Sequence, residues 1–271
     1  MPPFPRAQDI TPTPAPLATS GLQRRDWIAG LEHGLVILEA FGDAEPRVTA
    51  AQMGEKVGMT RTAARRHLLT LLHLGYVASD GKMFWLTPRV LRLGQAFIES
   101  SRLARLAQPF LQRVTAGTHE MAYLSALDGD DVVCIARNGL NRAMNTGFVP
   151  GGRTPAHVTA AGMLMLAWRE PPGAADWLAR VQLPTYTSHT ITDTEAMRTE
   201  FANIRQQDWA LSEQQLDLNY RGIAVPVRNT RGLLMGALNV TMPIGQETSE
   251  TAVARVLNVL RDVAQAMRPL L

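Results

Sequence analysis

Arg61 and Arg65 stand four residues apart, and Thr62 and Arg66 form a parallel row beside them. On a helix, residues four apart share a face. A guanidinium is a planar fork of donors that matches guanine O6 and N7, or a phosphate. Such a cluster in the first turns of one helix is suited to the major groove of double-stranded DNA, because recognition helices touch base edges near their N-termini. Thr60, at the start of that helix, and Lys82, at the tip of a short hairpin that would meet backbone phosphate, are the other candidate contacts.

The elements needed to position these groups are legible around them. Thr49 can cap a helix over 50–57, which Gly58 ends, since glycine enters the left-handed conformation that closes helices. Thr60 then caps a second helix to about Leu74, whose Ala64, Leu68, Leu71 and Leu72 make a buried stripe at spacings of three and four. Two helices joined by a short glycine-containing turn are a helix-turn-helix. Strands over 76–79 and 83–87 follow, with Asp80-Gly81 read as a type I′ turn. A helix over 26–41, with Ile28, Leu31, Leu35, Leu38 and Phe41 at helical spacing, supplies the third helix. Together they predict a winged helix-turn-helix.

The competing reading is a small helical domain with solvated arginines. Local charge argues against it. Residues 60–92 hold six basic side chains against Asp80 alone, a net of +5, whereas the whole chain of 271 residues carries only +3. The basic charge is concentrated where DNA would lie.

The rest of the chain has room for a second domain. Residues 1–22, rich in proline and small polar residues, read as a disordered arm. Pro88 starts a helix to Ser101, taken as a linker and dimer contact. From residue 102 the pattern becomes α+β, with helices over 103–117, 155–168, 171–181, 194–207 and 248–271. Strands are expected over 121–127, 132–138, 142–149, 209–217, 222–228 and 233–241. There is no regular β-α-β alternation, so an antiparallel sheet is expected. Asp128 to Asp131 read as a hairpin turn, since the later ligands of a calcium loop are missing. Cys134 is the single cysteine, in the apolar run VVCIA, and excludes an intrachain disulfide. A reducing cytoplasm is expected, with no membrane span.

The strings DWIAGLEHGLVILEAF (26–41), TRTAARRHLLTLLHLGYV (60–77), LTPRVLRLG (86–94), PGGRTPAHVTAAGMLMLA (150–167) and RGIAVPVRNTRGLLMGALNVT (221–241) resemble the IclR family of bacterial transcription regulators. Within it they are similar to the subgroup that controls aromatic-acid breakdown, the PcaR, PcaU and PobR type, and to the IclR-type activator of terephthalate catabolism. The resemblance runs from about Asp26 to Leu271. It implies a multidomain α and α+β protein: an N-terminal winged helix-turn-helix (23–87), a linker helix (88–101) and a C-terminal GAF/PAS-like effector domain with an antiparallel sheet (102–271). It also implies a DNA operator, a homodimer or dimer of dimers, and RNA polymerase as a further partner; the subgroup leans to an activator, and the alternative is a repressor of the same family that responds to a different small organic acid. The implied effector is a small aromatic carboxylate such as protocatechuate, 4-hydroxybenzoate or terephthalate. No cofactor and no metal is implied.

The implied effector pocket lies between the sheet and the helix expected from Pro155. A helix N-terminus suits a carboxylate, and small residues let a ligand approach the backbone. Matching the family's motifs carries over His157, Thr159, Ala160, Ala161, Ser212, Gly222, Asn239 and Thr241. Strand physics adds Arg137 and Arg142 as carboxylate clamps and Met144 as packing for a ring. His157 could equally be a core histidine, and the arginines could be solvated. Two other classes compete. An enzyme lacks support, because no nucleophile elbow, phosphate loop or zinc motif is present. A DNA-binding scaffold whose second domain only oligomerises fits less well, given the small-residue helix start and the polar Asn239/Thr241 pair.

Overall fold

The computed structural model describes residues 23–42, 45–139, 148–169 and 173–271. Its contacts divide the chain into two compact units, through Ala96 and from Phe97. The expected arm at 1–22, the strand expected over 142–149 for most of its length, and the candidates Arg142 and Met144 lie outside the described residues.

The first unit holds helices α1 (Ala29–Glu39), α2 (Ala50–Lys56) and α3 (Arg61–His73). Strands β1 (Val48–Thr49), β2 (Val77–Ser79) and β3 (Met83–Leu86) form one sheet in the order β1-β3-β2. Thr49 and Gln52 form a reciprocal capping box at the start of α2, and the Thr60 hydroxyl accepts from Ala63 N at 3.2 Å at the start of α3. Ile37, Val48, Met53, Ala64, Leu68, Val77 and Phe84 make the core. Two expectations change. α1 begins three residues later than expected, and Ile28 and Leu31 are 70% and 61% exposed, so Ile37 is its buried anchor. The hairpin turn is centred on Gly81-Lys82, not Asp80-Gly81: Gly81 has φ +96° while Asp80 and Lys82 are not left-handed. Positive φ at the first central position alone is the II′ pattern, and glycine supplies it. Asp80 flanks the turn instead, its carboxylate accepting from Lys82 N and Met83 N.

A 3-10 turn (Pro88–Val90) capped by Thr87 leads into α4 (Leu91–Ser100), so the division at Ala96 falls inside this helix. No residue of α4 is buried, and Leu91, Leu93, Phe97 and Ile98 are exposed.

The second unit is built on six antiparallel strands in the order β6-β5-β4-β9-β8-β7. These are β4 (Met121–Asp128), β5 (Asp131–Asn138), β6 (Arg153–Pro155), β7 (Ala210–Glu213), β8 (Tyr220–Arg228) and β9 (Leu234–Pro243). Helices α5 (Arg102–Thr118) and α9 (Ser249–Met267) cover one face through Leu111, Val114, Val256 and Leu260 against Leu124, Val225, Leu238 and Val240. Helices α6 (Ala160–Ala167), α7 (Gly173–Arg180) and α8 (Thr194–Gln207) form a second core with Ala210, Ala224 and Ala237 on the other face. The helix expected from Pro155 is divided. Residues 153–155 pair with β5, Ala156–Val158 is a 3-10 turn, and α6 starts only at Ala160. Its cap is Thr159, whose hydroxyl accepts from Gly162 N at 3.1 Å.

Candidate functional site

The first unit presents one basic surface. Thr60, Arg61, Thr62, Arg65 and Arg66 are exposed on α3, opposite the buried Ala64, Leu68 and Leu71, and Lys82 is exposed at the hairpin tip. Among the described residues none of these four basic side chains is in an ion pair. Their donors stand on the exposed side of the helix and hairpin. Sequence reasoning missed Arg47, whose guanidinium lies 4.3 Å from the centre of the Trp85 ring on the wing. A cation over an indole is held by the ring quadrupole. The only trace of this in the sequence is a basic residue just before a two-residue strand, which looks like loop until β1 is seen to pair with β3.

In the second unit, a cavity opens between the sheet and α6. Tyr123, Ser125, Val132, Cys134, Phe148, Thr154, Thr159, Ala161 and Asn239 line it. The register explains the grouping. Tyr123 lies opposite Asn239 on β9 and Arg137 on β5, and Ser125 lies opposite Cys134. A β-bulge between Leu124 and Ser125 skips Ile135, which turns with Ala136 toward the α5–α9 core. The extra residue brings both Cys134 and Arg137 onto the cavity face, where strict alternation would separate them. The Ser125 hydroxyl donates to Asn239 Oδ1 at 3.0 Å, and the Phe148 ring stands 5.4 Å from that of Tyr123. Arg137 donates to the Phe148 carbonyl at 3.4 Å. Burial pushes the Cys134 thiol up to about 11, so it is a neutral wall. The cavity is tight, with space for about one water molecule at most.

Of the residues expected at a ligand, Thr159, Ala161 and Asn239 line this cavity and Arg137 lies beside it. Ser212, Gly222 and Thr241 form a separate row across β7, β8 and β9, with Ala160 packed over Gly222. The Ser212 hydroxyl is already given to Val158 O at 2.7 Å. His157 is 4% exposed, its Nε2 lies 3.2 Å from Pro184 O, and its ring packs on Tyr186. Gly162 does serve a close approach, but to the protein's own Ala156 backbone rather than to a ligand. Tyr123, Ser125, Val132, Cys134, Phe148 and Thr154 were missed. Nothing local marks them, because the cavity forms only where β9, α6 and Phe148 meet the β4–β5 hairpin, and these are distant from it in sequence.

A wider, open groove runs along β7 and α8, lined by Ile191, Glu200, Asn203, Gln206, Trp209, Leu211 and Glu213. Its size does not make it the better site for an anion. Two carboxylates face it, no cationic side chain lines it, and burial raises the Glu200 carboxyl above the usual range.

His157 carries a test of its surroundings. Burial lowers its pKa below the ordinary 6.5, against smaller opposing effects of the Pro184 carbonyl and Asp131. A histidine with a depressed folded pKa binds protons less readily than the unfolded chain. Its contribution is fully present above pH 6.5 and is lost as the pH falls from there through the lowered value. Melting temperatures of wild type and His157→Gln between pH 8 and pH 5 are expected to converge on acidification, since glutamine cannot be protonated. A parallel pair of curves would show that His157 does not titrate this way.

The chain matches the family described as "IclR helix-turn-helix domain" over residues 30–81 and the one described as "Bacterial transcriptional regulator IclR C-terminal" over residues 95–268. It is similar to the p-hydroxybenzoate hydroxylase transcriptional activator of Acinetobacter baylyi, 36% identical over 260 residues that cover 94% of this chain and 96% of the relative. The Pca operon regulatory protein of the same organism is 33% identical over 254 residues, covering 92% and 91%. Among solved structures, an IclR homologue from Microbacterium hydrocarbonoxydans complexed with 4-hydroxybenzoate superposes with a TM-score of 0.74 at 25% identity, covering 88% of this chain and 97% of that one.

Proposed function

We propose a function for a chain that belongs to the IclR family of bacterial transcriptional regulators: it controls transcription through operator DNA read by α3 and the wing, in response to a small aromatic carboxylate held beside α6. The observation that carries the effector class is the cavity, with Tyr123 and Phe148 as aromatic walls, Ser125 and Asn239 as a polar pair, and Arg137 beside it. Two relatives support it. One is named for the activation of p-hydroxybenzoate hydroxylase, and a structural neighbour holds 4-hydroxybenzoate. The first also supports an activator, for which RNA polymerase would be a further partner. The exposed apolar residues of α1 and α4 support a homodimer or dimer of dimers, each half reading one half-site. Among the described residues no helix is long and apolar enough to cross a membrane, and no acidic, histidine or cysteine cluster could hold a metal. The protein acts by binding rather than catalysis, in the cytoplasm, without a cofactor. The proposed boundaries are an arm at 1–22, the DNA-binding domain at 23–87, a linker helix at 88–101 and the effector domain at 102–271.

The tightness of the cavity links binding to shape. A benzoate ring exceeds the space of one water, so the walls must part to admit it. A ligand that binds only the expanded form shifts the population toward it, and that shift is the coupling to DNA. The same tightness favours a second reading, a smaller non-aromatic organic acid. Thermal denaturation with 4-hydroxybenzoate, protocatechuate, terephthalate and pyruvate separates the two. A ligand at a hundred times its Kd stabilises by about 2.7 kcal/mol, a shift of several degrees for a domain of this size. A shift with at least one aromatic acid and none with pyruvate is expected. A shift with pyruvate alone would select the second reading, and none with any acid would defeat both.

A further inference from the structure

We propose that the Tyr123 hydroxyl is the hydrogen-bond donor that receives the effector's carboxylate, with the Arg137 guanidinium beside it supplying the opposing charge. This assignment rests on the aromatic-carboxylate reading and names a specificity residue that neither the motifs nor the helix start indicates.

Tyr123 occupies the middle of the cavity face. Its cross-strand neighbours are Asn239 on one side and Arg137 on the other. Directly opposed residues share a sheet face, so the amide, the phenol and the guanidinium stand in one row. Tyr123 is 1% exposed, and its hydroxyl finds no hydrogen-bond partner among the described residues. A buried hydroxyl left without a partner destabilises the folded state. Among the described residues two other buried side-chain polar atoms share this condition, Trp168 Nε1 and Arg221 Nε, and neither residue lines the cavity. Tyr123 does, and packing against Phe148 restrains its ring.

The polarity of the row selects the ligand group. Burial is the largest influence on the Tyr123 phenol and pushes it up to about 12. It therefore remains a protonated donor throughout the physiological range. The neighbouring Asn239 oxygen is already engaged by Ser125. Arg137 is close enough for its charge to act on both Tyr123 and Cys134. A neutral donor next to a cation calls for an acceptor that is also an anion, and charge-assisted hydrogen bonds of this kind are the stronger ones.

The test is calorimetric titration of the full chain and of Tyr123→Phe with benzoate, 3-hydroxybenzoate and 4-hydroxybenzoate, with melting temperatures measured without ligand. Loss of a hydrogen bond to a charged group is expected to weaken binding about tenfold to a hundredfold. The factor should be the same for every acid that the wild type binds, because all three carry the same carboxylate. Without ligand the variant should melt at the same temperature as the wild type or higher, since it loses only an unsatisfied hydroxyl. Unchanged affinity in Tyr123→Phe would overturn the assignment alone and leave the aromatic-acid reading standing. A loss confined to hydroxylated acids would overturn it by moving Tyr123 to the ring hydroxyl. A lower melting temperature without ligand would overturn it in favour of a structural role. Failure of the wild type to bind any of the three acids would overturn the aromatic-acid reading itself, and the assignment with it.

Discussion

Arg65→Ala is expected to weaken binding to a duplex carrying the promoter region by about 1–3 kcal/mol, roughly five- to 150-fold, at fixed salt. Arg65 is exposed on α3, one turn beyond Arg61, while Ala64, Leu68 and Leu71 on the opposite face hold the helix to its core. Truncating an exposed side chain leaves those contacts intact, and surface changes of this kind usually alter stability by less than about 0.5 kcal/mol. The melting temperature should therefore barely move while DNA affinity falls. Mobility-shift titrations at several salt concentrations separate two roles. If Arg65 reads a base, discrimination between the promoter and scrambled DNA narrows. If it neutralises a phosphate, affinity falls uniformly and the salt slope drops by about one. Unchanged affinity at fixed salt would remove Arg65 from the interface.

Gly162→Ala is expected to destabilise the effector unit by roughly 3 kcal/mol or more, several degrees of melting temperature or above. A Cβ at Gly162 would lie 2.1 Å from the Ala156 carbonyl oxygen and 2.4 Å from Ala156 Cα. Both are backbone atoms of the 3-10 turn that feeds α6, so neither can rotate away. Relief requires the turn to separate from the helix, which pulls Thr159 from its cap and Ala161 from the cavity wall. Gly222→Ala is the matched control. Its Cβ would meet the Ala160 Cβ and the Val240 carbonyl oxygen at 3.6 Å, an ordinary contact. Melting curves of both variants check the contrast, and equal stability would mean that the junction at Ala156 yields more easily than its backbone geometry allows.

Local rules carried the DNA-binding unit almost to its final form. The Thr49 and Thr60 caps, the Ala64/Leu68/Leu71 stripe and the wing strands depend on neighbours within a few residues, and each such preference agrees with the fold around it. Periodicity also anticipated α8 and most of the sheet. It failed where an apolar stripe had no partner within its own unit. Ile28 at the cap of α1 and Leu31 and Leu35 on it repeat at helical spacing yet remain exposed, because spacing shows that a face is apolar without showing what covers it. It failed again at Pro155, where a residue suited to a helix start instead ends β6.

The cavity is the clearest division between the two kinds of information. By itself the sequence determined the helix-turn-helix, the basic face of its second helix, the α+β character of the second unit and the family to which both belong. Only the tertiary structure decided which side chains meet at the cavity beside α6. Ser125 and Asn239 are 114 residues apart and share a hydrogen bond because β4 and β9 pair in the centre of the sheet. Cys134 and Arg137 reach one face because of a single bulge that strict alternation does not foresee. Strand pairing and register are set by long-range packing on both faces of the sheet, and a shift of one residue reverses every side chain. That is why Arg137 and Asn239 could be proposed from the sequence, while Tyr123 between them could be found only in the fold.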